Sequence, residues 1–332
     1  MSERKIGQLS FAEGMVFEAA GGNAVLERIA GFLDWGAIEE LLSGVRGGAM
    51  GAPAYPSLMM FKALLLQRWY ALSDPALEEA LKDRLSFRRF LGVGLSEKLP
   101  DHSSLWRFRE ALSSELSGRI FVEIGRQIEA AGFILKQGSL IDASLIPAAV
   151  NAPKKPDDPL PPGPDGRPAS KLVRSELDPD ATWTKKEGSY HFGYKIHASM
   201  DERSRIIRRV LLTPANINES EPANRLICGD EKIVLADKAY DSRERRAMLK
   251  DIKIANGIMR RGHPSRPLTE AEIRRNNRIS KRRGAIEPIF SLFKNVYGFT
   301  RARYRGLKRN AAAVLLAATA MNLKRVTVLQ CA

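Results

Sequence analysis

The sequence predicts an α/β protein, a mixed sheet flanked by helices and preceded by an all-helical N-terminal domain. Three observations lead there. Residues 56–130 carry apolar residues at helical spacing. From Tyr190 onward short apolar runs of strand length alternate with helical stretches. Two of the apolar runs lead directly into acids, Asp142 and Asp237.

The elements follow in order. Helices are expected over Ala24–Leu33 and Ile38–Leu42, ahead of a glycine-rich run, Gly47-Gly48-Ala49-Met50-Gly51. Pro56 and Ser57 open an apolar segment, Leu58–Leu72. Asp74 with Pro75 signals a helix start, with Asp as the cap and Pro where a missing N–H costs nothing. Leu77, Leu81 and Leu85 then repeat every four residues on one face. Gly92 and Gly94 break the pattern, Ser103 or Ser104 caps the next helix, and a last one runs from about Gly118 to Ala131. Trp69 and Trp106 fall on apolar helical faces and read as core; His102 and His263 read as surface or loop residues.

Residues 151–188 form an insertion holding eight of the 18 prolines, with balanced charge. Trp183, beside Lys185 and Lys186, is its best candidate for a nucleic-acid contact. Beyond it, Phe192–Met200 and Ile206–Leu212 read as a hairpin. A helix over Glu219–Ile227, a strand over Ile233–Ala236, a helix over Ser242–Asp251 and a strand over Ile252–Ile258 follow. This order fits a mixed sheet with helices on its faces. Ala311–Leu323 is a further helix expected to pack on that sheet.

Composition narrows the function. At 332 residues the chain accommodates about two domains. Its two cysteines, Cys228 and Cys331, are far apart, which disfavours a disulfide framework or zinc site and fits a reducing cytoplasm. No apolar run reaches the ~18 residues that span a bilayer, and the first ten residues show no signal-peptide core. The formal charge is +15, and residues 259–309 hold 15 Lys/Arg against three acids. Such a concentration marks a polyanion partner, most often nucleic acid, or else a solvated face.

Three carboxylates stand out: Asp142 after Leu140-Ile141, Asp237 after Ile233–Ala236, and Glu287 within the basic stretch. Each has an ordinary alternative: a turn residue, a helix cap, and an i,i+4 partner of Arg283 worth a few tenths of a kcal/mol. Acids at strand ends beside a basic surface suit metal-dependent chemistry on a polyanion. Two divalent ions about 3.5–4 Å apart can activate water and stabilise a leaving oxygen.

Taken together, several motifs resemble bacterial insertion-sequence transposases of the DDE class, in the group named after insertion sequence five. The resemblance covers roughly residues 53–325. It rests on Leu72-Ser73-Asp74, Pro100-Asp101, Phe108-Arg109, Asp142-Ala143, His191-Phe192-Gly193, Lys195, His197, Ala236-Asp237, Tyr240, Glu287, Lys294, Gly298-Phe299 and Ala302-Arg303-Tyr304.

The resemblance implies a ribonuclease-H-like catalytic domain at 133–332, carrying the 151–188 insertion, after a helical DNA-binding or dimerisation domain at 1–132. It implies Asp142, Asp237 and Glu287 as catalytic metal ligands for Mg²⁺, with Mn²⁺ as a substitute. The implied partner is double-stranded DNA, both terminal inverted repeats and target, bound by a homodimer in the bacterial cytoplasm at the nucleoid. The implied reaction is cleavage at element ends and joining of the 3′-OH to target DNA. Two rivals are a non-catalytic DNA-binding descendant and a nuclease of the same fold without strand transfer.

Arg283 and Lys294 flank Glu287 in a family pattern of one helix face. Ser280 stands where sister groups have Tyr, and Pro288 disfavours helical geometry at Glu287. Lys195 and His197 alternate on one strand and share a face; they either touch DNA near the site or, for His197, serve as a hydrogen-bonded structural residue. Tyr240 either contacts DNA or packs. Arg301, Arg303 and Arg305 are expected DNA contacts from the basic stretch.

Overall fold

The computed structural model describes residues 10–19, 22–45, 53–152, 175–186 and 188–331. The glycine-rich run and most of the insertion lie outside the described residues. The chain divides into two compact units, Met1–Ile134 with Leu315–Ala332, and Leu135–Val314.

The first unit is helical: α1 (Phe11–Ala19), α2 (Ala24–Phe32), α3 (Trp35–Leu42), α4 (Ser57–Trp69), α5 (Asp74–Asp83), α6 (Leu85–Leu91), α7 (His102–Ala111) and α8 (Ser114–Ala130). Helix α4 is its centre, with Leu64, Leu65 and Leu66 fully buried on successive faces. The caps differ from the expected ones. Ser73, not Asp74, caps α5, and Asp101, not a serine, caps α7. Asp74 is thereby released to accept from Arg109 Nη1 at 3.1 Å and Gln67 Nε2 at 2.5 Å. Leu85 begins α6 rather than continuing α5, because Arg84 leaves the helical region at φ −95, ψ 108. Trp69 is buried as expected, but Trp106 is 52% exposed, on the outer side of α7.

The second unit holds β1 (Ser139–Pro147), β2 (Thr182–Lys186), β3 (Ser189–Asp201), β4 (Ile207–Pro214), α9 (Ala223–Leu226), β5 (Ile233–Ala236), α10 (Arg243–Asp251), β6 (Ala255–Ile258), α11 (Glu270–Arg283) and α12 (Glu287–Asn295). The sheet runs β2-β3-β1-β5-β6, with β4 also paired to β3. β1, β5 and β6 are parallel to one another and β3 is antiparallel to its neighbours. This is the mixed sheet the sequence predicts, and it is consistent with the ribonuclease-H-like fold the resemblance implies. Strand β2 was not expected; it lies at the end of the insertion. The helix expected over Glu219–Ile227 shrinks to α9, because Asn218 and Glu221 form a local turn and Pro222 precedes the helix. Gly193 sits at φ +154, where a Cβ would strike the Ile146 carbonyl of β1, so only glycine lets the two strands close there.

The last helix, α13 (Leu307–Leu329), corrects two expectations. It is long and apolar enough to cross a membrane by length and composition, but most of its apolar window is buried. From Leu315 it packs with the N-terminal helices instead of the sheet: Trp69 Nε1 donates to Ala320 O at 2.8 Å and Lys324 Nζ to Trp69 O at 3.4 Å.

Candidate active site

The sheet register brings two of the three acids together. β1 and β5 pair in parallel through Ser139↔Val234, Leu140↔Leu235 and Ile141↔Ala236. One further step in that register puts Asp142 beside Asp237, on strands about 4.8 Å apart. β5 ends there, while β1 continues to Pro147; Asp142 therefore lies mid-strand, not at a strand end. Asp142 accepts from Ala143 N at 2.9 Å. Asp237 caps a 3-10 turn over Lys238–Tyr240 and accepts from Lys238 N at 2.6 Å.

A single guanidinium joins them. Arg283 Nη2 donates to Asp142 Oδ2 at 3.0 Å, and its Nη1 lies 3.9 Å from Asp237 Oδ1. Helix α11 delivers this side chain. Thr269 and Glu272 form a capping box at its start, and Asn276 exchanges hydrogen bonds with the Arg260 backbone. Arg275 donates to the carbonyls of Asn256 and Ile258. These bonds tie α11 to the end of β6 and leave its last residue, Arg283, over the two acids. Burial pushes the Asp142 carboxyl above the usual carboxylate range; Arg283 opposes that shift and Asp237 adds to it. Two carboxylates that share one cation, with oxygen the only donor type, fit a hard divalent ion.

Glu287 opens α12 one turn after Arg283. Its backbone is helical, φ −55 and ψ −41, despite Pro288. A 3-10 turn over Gly284–Ile286 restarts the helix, which puts Pro288 in a first turn where no backbone donor is lost. Pro288 therefore does not turn Arg283 away from the acids. Glu287 is exposed, and among the described residues its carboxylate makes no hydrogen bond or ion pair. Asp142, Asp237 and Glu287 are not drawn into one tight cluster. The described His, Cys, Asp and Glu residues that do converge, Cys228, Asp230 and Glu231, are already engaged. Glu231 accepts from three backbone amides and Asp230 pairs with Arg208 and Lys136.

Lys294, in the last turn of α12, lines a cleft of about 590 Å³ with Lys186, Ser144, His191 and Thr300. Lys186 was not singled out from sequence. Its charge also acts on Asp142, so the cleft is cationic beside the acids.

Three residues expected to contact DNA are buried. His197 is fully buried, with Nε2 2.9 Å from Thr213 Oγ1. Lys195 is 8% exposed and donates to Ile217 O at 3.0 Å. Tyr240 is 1% exposed. Pairing of Asp142 with Ala198 also puts Lys195 and His197 on the opposite sheet face from Asp142. Trp183 packs on Tyr190 and Phe192. In the basic stretch, Arg301, Arg303 and Arg305 are all exposed, and Arg301 also donates to Ala148 O at 2.6 Å and Asn151 Oδ1 at 3.1 Å.

Burial, then the nearby Lys195 charge, lowers the His197 pKa to about 3. The unfolded value is about 6.5. The stability from keeping this ring neutral is whole above pH 6.5 and is lost as pH falls towards 3. Thermal unfolding should show a midpoint that declines over that window, and His197→Gln should flatten the decline. An unchanged pH profile would show that His197 carries no linkage.

A mixed sheet with one acid on β1 and another just past the end of the parallel β5 is consistent with a ribonuclease-H-like fold. Residues 135–323 match the family described as Transposase DDE domain, and residues 17–111 match the Transposase domain (DUF772). The chain belongs to the DDE transposase family. No solved structure matches it.

Proposed function

We propose that this transposase binds the inverted-repeat ends of its own element, cuts phosphodiester bonds there and joins the freed 3′-OH ends to target DNA. One observation supports this above the rest: Asp142 and Asp237, on neighbouring parallel strands, converge on one cation beside a cleft lined by Lys186 and Lys294. The assignment to the group named after insertion sequence five rests on the sequence resemblance, Glu287 and Lys294 included.

In this reading Asp142, Asp237 and Glu287 hold Mg²⁺, or Mn²⁺ in its place. A bound divalent metal supplies Lewis-acid stabilisation of the charge that develops on phosphate. The protein's part is positional. Asp142 is costly to keep charged in its buried site unless a cation is beside it, which favours cation capture. Glu287 is exposed and unengaged, available to close on the same centre. Lys294 follows a phosphate as a point charge, and Arg283 offers a planar fork.

Cleavage adds water across the phosphodiester: the P–O3′ bond breaks, leaving a 3′-OH and a 5′-phosphate. In transfer that 3′-OH attacks a target phosphodiester, and one P–O bond forms as another breaks. No energy-supplying cofactor is required.

The helical first unit acts in end binding or dimerisation, with a homodimer on DNA at the nucleoid. Incubating the protein with its flanking DNA and Mg²⁺ tests the reading. Mapped cuts at the element ends that vanish in EDTA support it; uncut ends, or full activity in EDTA, would sink it.

DNA affinity should fall steeply with salt, with a log–log slope of about −0.9 per phosphate contact. Neutralising exposed Arg303 and Arg305 together should lower affinity and flatten that slope by about two contacts. Unchanged values would make the stretch a solvated face only.

A further inference from the structure

Helix α11 has two faces, and the inner one is engaged with the fold. Asn276 and Ile279 are buried, and Asn276 pairs with the Arg260 backbone at 2.9 and 3.0 Å. Arg275 donates to the Asn256 and Ile258 carbonyls at 2.6 and 2.9 Å, and Arg283 reaches Asp142 at 3.0 Å. Arg282, on one flank, donates to Glu202 at 2.7 and 2.6 Å. At about 100° per residue, the opposite face is an arc about 100° wide that carries Arg274, Asn277, Arg278 and Lys281. All four are exposed. Arg274 meets Glu270 in an exposed i,i+4 pair at 3.1 Å. Among the described residues, Asn277, Arg278 and Lys281 make no hydrogen bond or ion pair.

Solvation alone does not explain this outer face. Residues 273–286 hold six Lys/Arg and no acid. Arg274 and Arg278 are spaced i,i+4 and Arg278 and Lys281 i,i+3, so like charges stand side by side and weaken the helix. Lys281, in the last turn, complements the helix dipole; Arg274 and Arg278 lie too far back to do so. A face kept for solubility would intersperse both signs. A row of cations held together against its own repulsion fits a polyanion.

Shape and residue type narrow that polyanion to duplex DNA. The B-form major groove, about 12 Å wide, admits an α-helix, whereas side chains cannot read the narrow major groove of A-form RNA. Arg and Asn are the side chains that pair two hydrogen bonds with guanine and adenine edges. The anchors at Arg275, Asn276 and Arg282 give α11 the fixed placement that base reading needs. From Arg274 to Arg283 the helix rises about 13.5 Å, or about four base pairs at roughly 3.4 Å each. The outer face therefore ends where Arg283 meets the two acids.

We propose that α11 lies in the major groove of duplex DNA beside the cleavage position, where Asn277 and Arg278 read base edges and Arg274 and Lys281 hold phosphates. The inference rests on the proposed action of Asp142 and Asp237 at the bond that is cut.

Binding selection from a pool of random duplexes tests it, with the full chain in EDTA so that binding is read apart from cutting. Wild-type protein should enrich a sequence motif. Asn277→Ala and Arg278→Ala should each lose preference at one or two adjacent positions of that motif, by about 5- to 150-fold, and keep the rest. Arg274→Ala and Lys281→Ala should keep the motif and lower affinity for all sequences alike, each flattening the log–log salt slope by about 0.9. The four positions are exposed and alanine is the best helix former, so the variants should fold as the wild type does.

An intact motif in both Asn277→Ala and Arg278→Ala, or a wild type that selects no motif, would overturn base reading. Unchanged affinity and slope in Arg274→Ala and Lys281→Ala would overturn the phosphate contacts. Repeating the assay in Mg²⁺ places the helix. Mapped cuts should fall within about four base pairs of the positions that Asn277 and Arg278 govern, and cuts a full helical turn or more away would overturn the placement of α11 beside the cut. If the motif responds to these variants and no duplex is cut, the proposed cleavage reaction fails and the base reading by α11 stands.

Discussion

Asp142→Ala, Asp237→Ala and Glu287→Ala should each give a protein that binds element ends and does not cut them. The acids and the binding surface are physically separate contributions. Exposed Arg303 and Arg305 belong to a stretch with 15 Lys/Arg, and such charge supplies most of the affinity for DNA. In the proposed reading the acids add nothing to phosphate binding by themselves and act by holding cations at the bond being broken.

The loss in cleavage rate should be on the order of 10³-fold or more, at least the scale for removing one well-placed electrostatic stabiliser. Gel-shift titration and single-turnover cleavage on the same preparations check it. Near-wild-type cutting in one variant removes that residue from the site; lost binding in all three would show that the acids shape the fold instead.

The second large effect concerns Arg283 and Lys294. Arg283 touches Asp142 and approaches Asp237 through two different nitrogens. A lysine keeps the charge but offers one point donor, so it cannot span both carboxylates. Arg283→Lys should therefore slow cleavage on a pre-bound end by about tenfold or more, the scale of losing one charge-assisted hydrogen bond of about 1.5–3 kcal/mol. Lys294→Ala should lower the cleavage rate more than it weakens end binding, because Lys294 lines the cleft while the basic stretch offers many other cations to the DNA backbone. Single-turnover rates decide: a harmless Arg283→Lys would mean that its two-carboxylate contact plays no part in the reaction, and wild-type rates for Lys294→Ala would remove it from the phosphate path.

Much of this fold is legible in sequence because its periodicities are clean. Ile233–Ala236 followed by Asp237 reads as a strand leading into an acid, and that is what β5 is. The hairpin of β3 and β4 is equally plain, with Asp201 accepting from Ser204 N at 2.8 Å in its turn. Caps shift by a residue where several candidates adjoin, as at Ser73 and Asp74.

Long-range contacts are the part that sequence conceals. Nothing local says that an Ala- and Leu-rich C-terminal helix joins the N-terminal helices, or that Lys195 and His197 turn inward. The pair Asp142 and Asp237 was legible as motif, but their adjacency follows from the parallel register of β1 and β5.

The most direct test of the metal centre is anomalous scattering from crystals of the protein soaked in Mn²⁺. Peaks about 3.5–4 Å apart, in contact with Asp142, Asp237 and Glu287, are the expected result. A peak at Cys228, Asp230 and Glu231 with none beside Asp142 would contradict it.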